Sequence, residues 1–254
     1  MDLVIRNGLV VDGTGAPGRR ADVGIRDGRI EAIGDLRAAS AHETVDATGQ
    51  VVSPGFIDAH THGDVAMLLP DAHLDVKTAE LRQGVTTEVT GNCGFSPFPA
   101  DGPHADQVDA LMGSLIGDGR SWSDLVTYRA AVSGMFTNVA PLVGHGSIRA
   151  AILGFADRAP SPDELRAMVR LAEVALDQGA VGISSGLVYA PGLYAKTDEL
   201  ISVARTLRGT GRPYVTHMRG ETDMVADSVR EAIRIGREAG VPVHISHHKA
   251  SGKD

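Results

Sequence analysis

"SPDELRAMVRLAEVALDQGAVGIS", residues 161–184, passes from a helix into a strand within a few residues. Residues 161–178 read as a helix whose first turn is made by Pro162 and Glu164, and 180–184 form a short apolar run of strand type. The same alternation extends in both directions. Residues 56–60, 85–90, 138–143, 213–217 and 242–246 are the other candidate strands, and 223–239, stopping at Gly240, is the second clear helix. Strands alternating with helices pair in parallel through right-handed crossovers, in an open doubly wound sheet or an eight-stranded barrel. No GxGxxG loop follows an early strand, and the residues suited to chemistry stand at the carboxyl ends of several strands, which favours the barrel. Six strands are counted where a barrel needs eight. The sequence therefore reads as the front part of a longer (β/α)8 TIM barrel, truncated after the sixth strand.

Ahead of this region the rhythm differs. "DLVIRNGLVVDGTG" and "ADVGIRDGRIEAIG" alternate short apolar runs with Asn-Gly and Asp-Gly pairs, which are hairpin signals, and "VDATGQVV" at 45–52 adds another short strand. Ser53, Pro54 and Gly55 then break the pattern. The expected organisation is a small β (sandwich) domain at 1–54 and an α/β barrel at 55–254.

Composition narrows the function. With 43% hydrophobic and 22% charged residues in 254, the chain can bury a substantial core, which excludes disordered and fibrous classes. A net charge of −8 argues against a nucleic-acid surface or a polybasic membrane patch and leaves a small molecule as the expected partner. "MDLVIRNG" has no basic leader region and no stretch reaches the roughly 18 apolar residues of a membrane span, so a cytoplasmic location is expected. The sequence carries no signal for oligomeric state. Cys93 is the single cysteine, so it forms no internal disulfide and any special role is as a thiol or metal ligand.

"GFIDAHTHGD", 55–64, places His60 and His62 at i and i+2, projecting the same way from a strand, with Asp58 one step deeper. Neutral imidazoles paired so suit a divalent metal. Taken alone, the pair fits equally one packed and one loop histidine. Cys93 follows the second strand in a Gly-rich turn; a lone buried cysteine is commonly a small hydrophobe unless other ligands converge on it. His217 ends the fifth strand and His247 the sixth, 30 residues later, about one strand-helix unit, so adjacent parallel strands would hold them side by side. Cys, His and His leave a tetrahedral zinc one open position, a catalytic layout suited to amide hydrolysis.

The β start, "VVSPGFIDAHTH", "GVTTEVTGNCGFSP", "GLVYAPGLYA", "THMRGE" and "HISHHKASGKD" together resemble the amidohydrolase superfamily, and within it the D-aminoacylases (N-acyl-D-amino-acid deacylases), over the whole chain. The cysteine is the most specific element. Many other amidohydrolases bridge metals with a carboxylated lysine, and no lysine stands in "AVGISSGLVY". The resemblance implies a barrel beside a small β domain built from both chain ends, and zinc-dependent hydrolysis of N-acyl-D-amino acids to a D-amino acid and a carboxylate. It implies that Cys93, His217 and His247 hold a tight zinc and that His60 and His62 belong to a weaker second metal position. The family's general acid/base, an Asp at the end of the eighth strand, would lie beyond Asp254, so no catalytic acid is assigned.

Around that set, Lys249 is placed to meet a substrate carboxylate, and Tyr189 and Tyr194 to line an acyl pocket under the Pro191-Gly192 turn; a solvated lysine and plain loop packing are the alternatives. Asp58 is expected to orient an imidazole and Glu221 to begin or cap the next helix. His248 alternates away from His247, His145 reads as a hydrogen-bonded loop histidine, and His42, His73, His104 and His244 show no ligand spacing. Two other functions compete. A cyclic-amide hydrolase of the dihydroorotase or dihydropyrimidinase type would share the histidines but carry lysine in place of Cys93, and a non-catalytic fragment would at most bind metal.

Overall fold

Asn7-Gly8, a hairpin signal in the sequence, lies inside a strand in the structure, a computed structural model that describes residues 1–64, 66–116, 119–132 and 135–252. β1 (Leu3–Val10) runs through the pair, Asn7 takes φ 65°, and the register against β2 (Arg19–Arg26) shifts between Ile5 and Gly8, so the extra residue is a bulge. Distant partners decide this. Asn7 N–H donates to Asp22 Oδ1 at 2.9 Å and its side-chain amide to Asp46 Oδ1 at 3.0 Å. Asp27-Gly28 is a true two-residue turn between β2 and β3 (Arg29–Gly34), both residues at positive φ. The single strand expected over 45–52 is two, β4 (Glu43–Asp46) and β5 (Val51–Val52), because Asp46 Oδ1 accepts from the Thr48 N–H and hydroxyl and turns the chain between them. Both lie parallel to β1 in a sheet of order β3–β2–β1–β4, with β5 also on β1. These strands make up the first of two compact units, Met1–Phe56 and Ile57–Asp254.

In the larger unit each expected stretch carries a strand: β6 (Phe56–Asp58), β7 (Val85–Thr90), β8 (Asn138–Pro141) continuing as β9 (Val143–Gly144), β10 (Ile183–Gly186), β11 (Tyr214–His217) and β12 (Val243–Ile245). The order is β6–β7–β8 and β9–β10–β11–β12, with parallel pairing of β7–β8, β9–β10, β10–β11 and β11–β12. β8 and β9 are one path interrupted at Leu142, whose N–H goes to Thr90 O while Val143 N–H goes to Gly182 O. The strands expected from the sequence thus follow one another in an α/β succession.

Between the strands run α1 (Leu74–Lys77), α2 (Asp106–Ile116), α3 (Leu125–Ala131), α4 (His145–Leu153), α5 (Pro162–Asp177), α6 (Thr197–Ala204) and α7 (Val225–Ala239). α5 starts where Ser161 Oγ accepts from Glu164 N–H and Glu164 reaches back to Ser161 N–H, and it buries Met168, Leu171, Ala172, Ala175 and Leu176, one helical face. Its end delays β10 to Ile183, because Gly179 and Ala180 N–H bond back to Leu176 O and Ala175 O. Among the described residues no helix is long and apolar enough to cross a membrane.

His145, expected in a loop, is instead the first residue of α4 and fully buried. Its Nε2 lies 2.9 Å from Glu199 Oε1 on α6, and Arg149 Nη1 reaches both Glu199 oxygens at 2.8 and 2.7 Å. Burial works against ionisation of Glu199, but the His145 hydrogen bond and the charges of His145 and Arg149 outweigh it and hold the carboxyl below its usual range.

Candidate metal centre

Cys93 sits in a tight turn, Asn92–Gly94, immediately beyond β7. The turn needs unusual backbone: Gly91 at φ 73°, Cys93 itself at φ 55°. A Cβ on Gly91 would lie 2.1 Å from Leu142 O, and one on Gly186 2.0 Å from Cys93 O, so only glycine lets these segments approach. Side chains then pin the turn. Asn92 Nδ2 donates to Thr61 O (3.2 Å) and Val89 O (2.8 Å), Gly91 N–H donates to Asp64 Oδ1 (2.8 Å), and Ser184 Oγ accepts from Gly94 N–H (3.0 Å) while donating to Gly91 O. Burial raises Asp64 to about 7 against the N–H groups it accepts. β10 carries Ser184 and Ser185 and no lysine.

Three imidazoles converge on the thiol. Cys93 Sγ is 3.5 Å from His60 Nε2, 3.6 Å from His217 Nδ1 and 3.7 Å from His247 Nε2. His217 closes β11, which pairs in parallel with β12, and His247 follows β12 at φ 35°. His60 and His62 lie past β6, not on it, because Asp58 Oδ1 accepts the His60 N–H at 3.0 Å and ends the strand; Asp58 therefore holds backbone, not a ring. The two rings still meet at a centroid distance of 5.4 Å. Donor atoms of Cys93, His217 and His247 lie within 4.8 Å of one another, and so do those of His60, His62 and Cys93. The thiol belongs to both groups.

The donors fit a divalent ion. Zn–S of about 2.3 Å and Zn–N of about 2.0 Å at a tetrahedral angle separate S and N by about 3.5 Å, close to the spacing around Cys93. Burial, then the neighbouring charge of His62 and His247, brings His60 down to about 4, and burial with His247 does the same for His217, so both are neutral at pH 7. His60 Nδ1 is buried without a hydrogen-bond partner among the described residues. Burial, aided by the Glu221 charge, pushes the Cys93 thiol up to about 12, leaving it protonated unless a cation replaces the proton.

Of the other expected residues, Tyr189 lies at the site: its ring stacks edge-on to His217 (4.9 Å) and tilts over Phe95 (5.2 Å). Tyr194 closes the Gly192–Tyr194 turn, half-buried, with no ring contact to the ligand set among the described residues. That loop is tied down by Arg219, which donates to Leu193 O (3.1 Å), Ala195 O (3.0 Å) and Glu231. Lys249 Nζ is 2.5 Å from Glu221 Oε2 rather than simply solvated. Glu221 begins no helix: α7 starts at Val225 with Met224 as its N-cap, and Glu221 is half-buried against His247 and Lys249. Burial opposes its ionisation, but Lys249 and the two histidines prevail and lower its pKa. His248 is exposed beside the site.

The chain belongs to the amidohydrolase family, whose profile matches residues 43–253; residues 1–55 match the N-terminal domain of the urease α-subunit. It is 45% identical over 258 residues to a D-aminoacylase of Alcaligenes xylosoxydans xylosoxydans, covering 99% of this chain and 51% of that one. A solved D-aminoacylase, described for a binuclear metal centre with one-metal activation and second-metal attenuation, superposes with a TM-score of 0.87 at 45% identity, covering 99% of this chain and 52% of that one. The N-acyl-D-glutamate deacylase of Bordetella bronchiseptica, solved with zinc and a phosphonate mimic of the tetrahedral intermediate, gives 0.89 at 43% identity over 98% and 52% of the two chains. The chain spans about half the length of these relatives.

Proposed function

We propose that the protein carrying this sequence is a zinc-dependent hydrolase of N-acyl-D-amino acids, releasing a D-amino acid and a carboxylate. The observation that carries the reading is one buried cysteine shared by two three-donor groups at the ends of parallel strands. Residues 55–254 are then the front part of a (β/α)8 barrel and residues 1–54 part of a small β domain. Cys93, His217 and His247 would hold the tight zinc, and His60 and His62 would contribute to a weaker second position. When bound, the metal supplies Lewis acidity that polarises the amide carbonyl and acidifies water. Lys249, at the open edge of the site, binds the substrate carboxylate, while Tyr189 with Phe95, and Tyr194 on the next turn, wall the acyl group. Relatives named D-aminoacylase and N-acyl-D-glutamate deacylase support a small-molecule substrate, and the net charge of −8 agrees with a partner other than nucleic acid or a membrane surface; the compartment we propose is the cytoplasm. A cyclic-amide hydrolase is the weaker alternative, since Cys93 holds the centre where such an enzyme would rely on lysine.

Amine release from N-acetyl-D-methionine and its L isomer, with zinc supplied, tests the reading on these 254 residues alone and joined to the C-terminal half of the Alcaligenes D-aminoacylase. D-selective release by the joined protein, abolished together with the tight zinc in Cys93→Ala, is the expected result. Release that ignores the Cys93 substitution, or a joined protein that holds zinc and stays inactive, would overturn it.

A further inference from the structure

Glu221 stands behind both imidazoles of the tight set. It lies four residues after His217, on the segment between β11 and α7, with its side chain 13% exposed. Oε1 is 2.8 Å from His247 Nδ1 and 3.8 Å from His217 Nε2. In each ring this is the nitrogen opposite the one facing Cys93 Sγ. Oε2 is 2.5 Å from Lys249 Nζ, Lys249 Nζ is 3.2 Å from His247 Nδ1, and Ser251 N–H donates to Glu221 O at 2.6 Å. The two rings are thus bracketed by the thiol on one side and one carboxylate on the other. The backbone link to Ser251 keeps the segment after β12 beside that carboxylate.

A neutral imidazole that gives one nitrogen to a metal carries its proton on the other, and an acceptor there fixes the tautomer, the ring angle and the ligand's basicity. Oε1 is buried and accepts no hydrogen bond from the described residues. It is within reach of His247 Nδ1, and a shift of under about 1 Å would bring His217 Nε2 into reach as well. We propose that Glu221 is a positioning residue for the metal centre, a single carboxylate that orients both His217 and His247 and, through its other oxygen, holds Lys249 at the edge of the site. This role rests on the reading that Cys93, His217 and His247 hold the ion.

Zinc affinity of the 254-residue chain, measured by competition with a chromophoric chelator, tests it together with the absorption spectrum of the cobalt-loaded form. Glu221→Gln should weaken zinc roughly 10- to 100-fold, while the zinc content at saturation stays that of the parent. The thiolate-to-cobalt band should persist and the ligand-field bands should shift as the rings turn. Glu221→Asp, with the charge one methylene shorter, should fall between parent and Glu221→Gln. Metal-free melts that match between Glu221→Gln and parent separate positioning from loss of fold; should Glu221→Gln fail to fold, Glu221→Asp carries the test. Parent affinity and parent cobalt bands in every variant that folds would overturn the inference. A parent that takes up no zinc, or a Cys93→Ala variant that keeps it, would overturn the ligand assignment and this role with it.

Discussion

Gly91→Ala should damage the protein in two separable ways, and Gly209→Ala should suffer only one of them. Both glycines take nearly the same backbone, φ 73° and 77°, but an added Cβ meets Leu142 O at 2.1 Å in the first case and nothing within 4 Å in the second. The left-handed conformation costs a non-glycine residue about 1–2 kcal/mol, offset by about 0.4–1 kcal/mol of lost freedom in the unfolded chain. That leaves roughly 0–1.6 kcal/mol for Gly209→Ala. At Gly91 the backbone must also give by about 1.3 Å to restore ordinary contact. Leu142 cannot swing away, because the obstructing atom is its carbonyl and its N–H is held by Thr90 O. Overpacking of this kind adds about 1–3 kcal/mol, so the two variants should differ by about 2 kcal/mol. Urea unfolding followed by Trp122, the single tryptophan, packed on Tyr128 at 5.4 Å, reads the larger unit directly. At a slope of about 2 kcal/mol per molar urea the midpoints should separate by about 1 M. Because Cys93 lies two residues on, Gly91→Ala should also lose zinc affinity while Gly209→Ala keeps it. Equal midpoints and equal zinc binding would refute the claim that close backbone approach shapes this turn.

Two further outcomes follow from buried charge and from the loop over the site. Glu199 has its folded pKa held below the ordinary 4.5, so its ionised form stabilises the protein above about pH 4.5 and that contribution is lost as the pH falls through the lower folded value. Glu199→Gln should cost about 3–5 kcal/mol at neutral pH by stranding Arg149, and should flatten the acid limb of melts taken from pH 7 to 3; an acid limb parallel to the parent's would count against the network. Arg219→Met should release the loop at Gly192–Tyr194 from its two Arg219 hydrogen bonds, to Leu193 O and Ala195 O, and speed chymotryptic cleavage after Leu193 or Tyr194, with unchanged cleavage as the contrary result.

The strands were legible because short apolar runs end at glycine, proline or the ligand residues, and the parallel order follows from the helices between them. Their ends were not legible, since these depend on single hydrogen bonds. β6 stops at Asp58 because its carboxylate takes the His60 N–H, and β10 starts late because Ala180 N–H bonds back into α5. Asn7-Gly8 shows the limit of local signals most plainly. The pair reads as a hairpin turn, but only Asn7 takes positive φ, and Asp22 and Asp46, 15 and 39 residues away, use that conformation for a bulge inside a strand.

The convergence of Cys93 with the histidines was legible for a different reason: Cys and His are chemically particular, and His217 and His247 are spaced by one strand-helix unit, which brings them side by side. The residues that hold them were not. Glu221 is one of 32 acidic residues, and its only local signal, an acid four positions after His217, reads equally as the start of a helix. Asn92, Ser184 and Asp64 are ordinary polar residues until the turn around Cys93 is folded against them. Their number has a physical cause. Burial keeps Cys93 in its thiol form and His60, His62 and His217 in their neutral forms, so most of the cluster folds without unpaired charge. Glu221 is a half-buried carboxylate beside two of its rings, and Lys249 balances it. Neutral donors repel one another little but also attract one another little, so nothing intrinsic to them fixes their directions. Orientation has to come from outside the set, from the backbone held by Asp58, Asp64 and Ser184 and from a carboxylate shared by two rings.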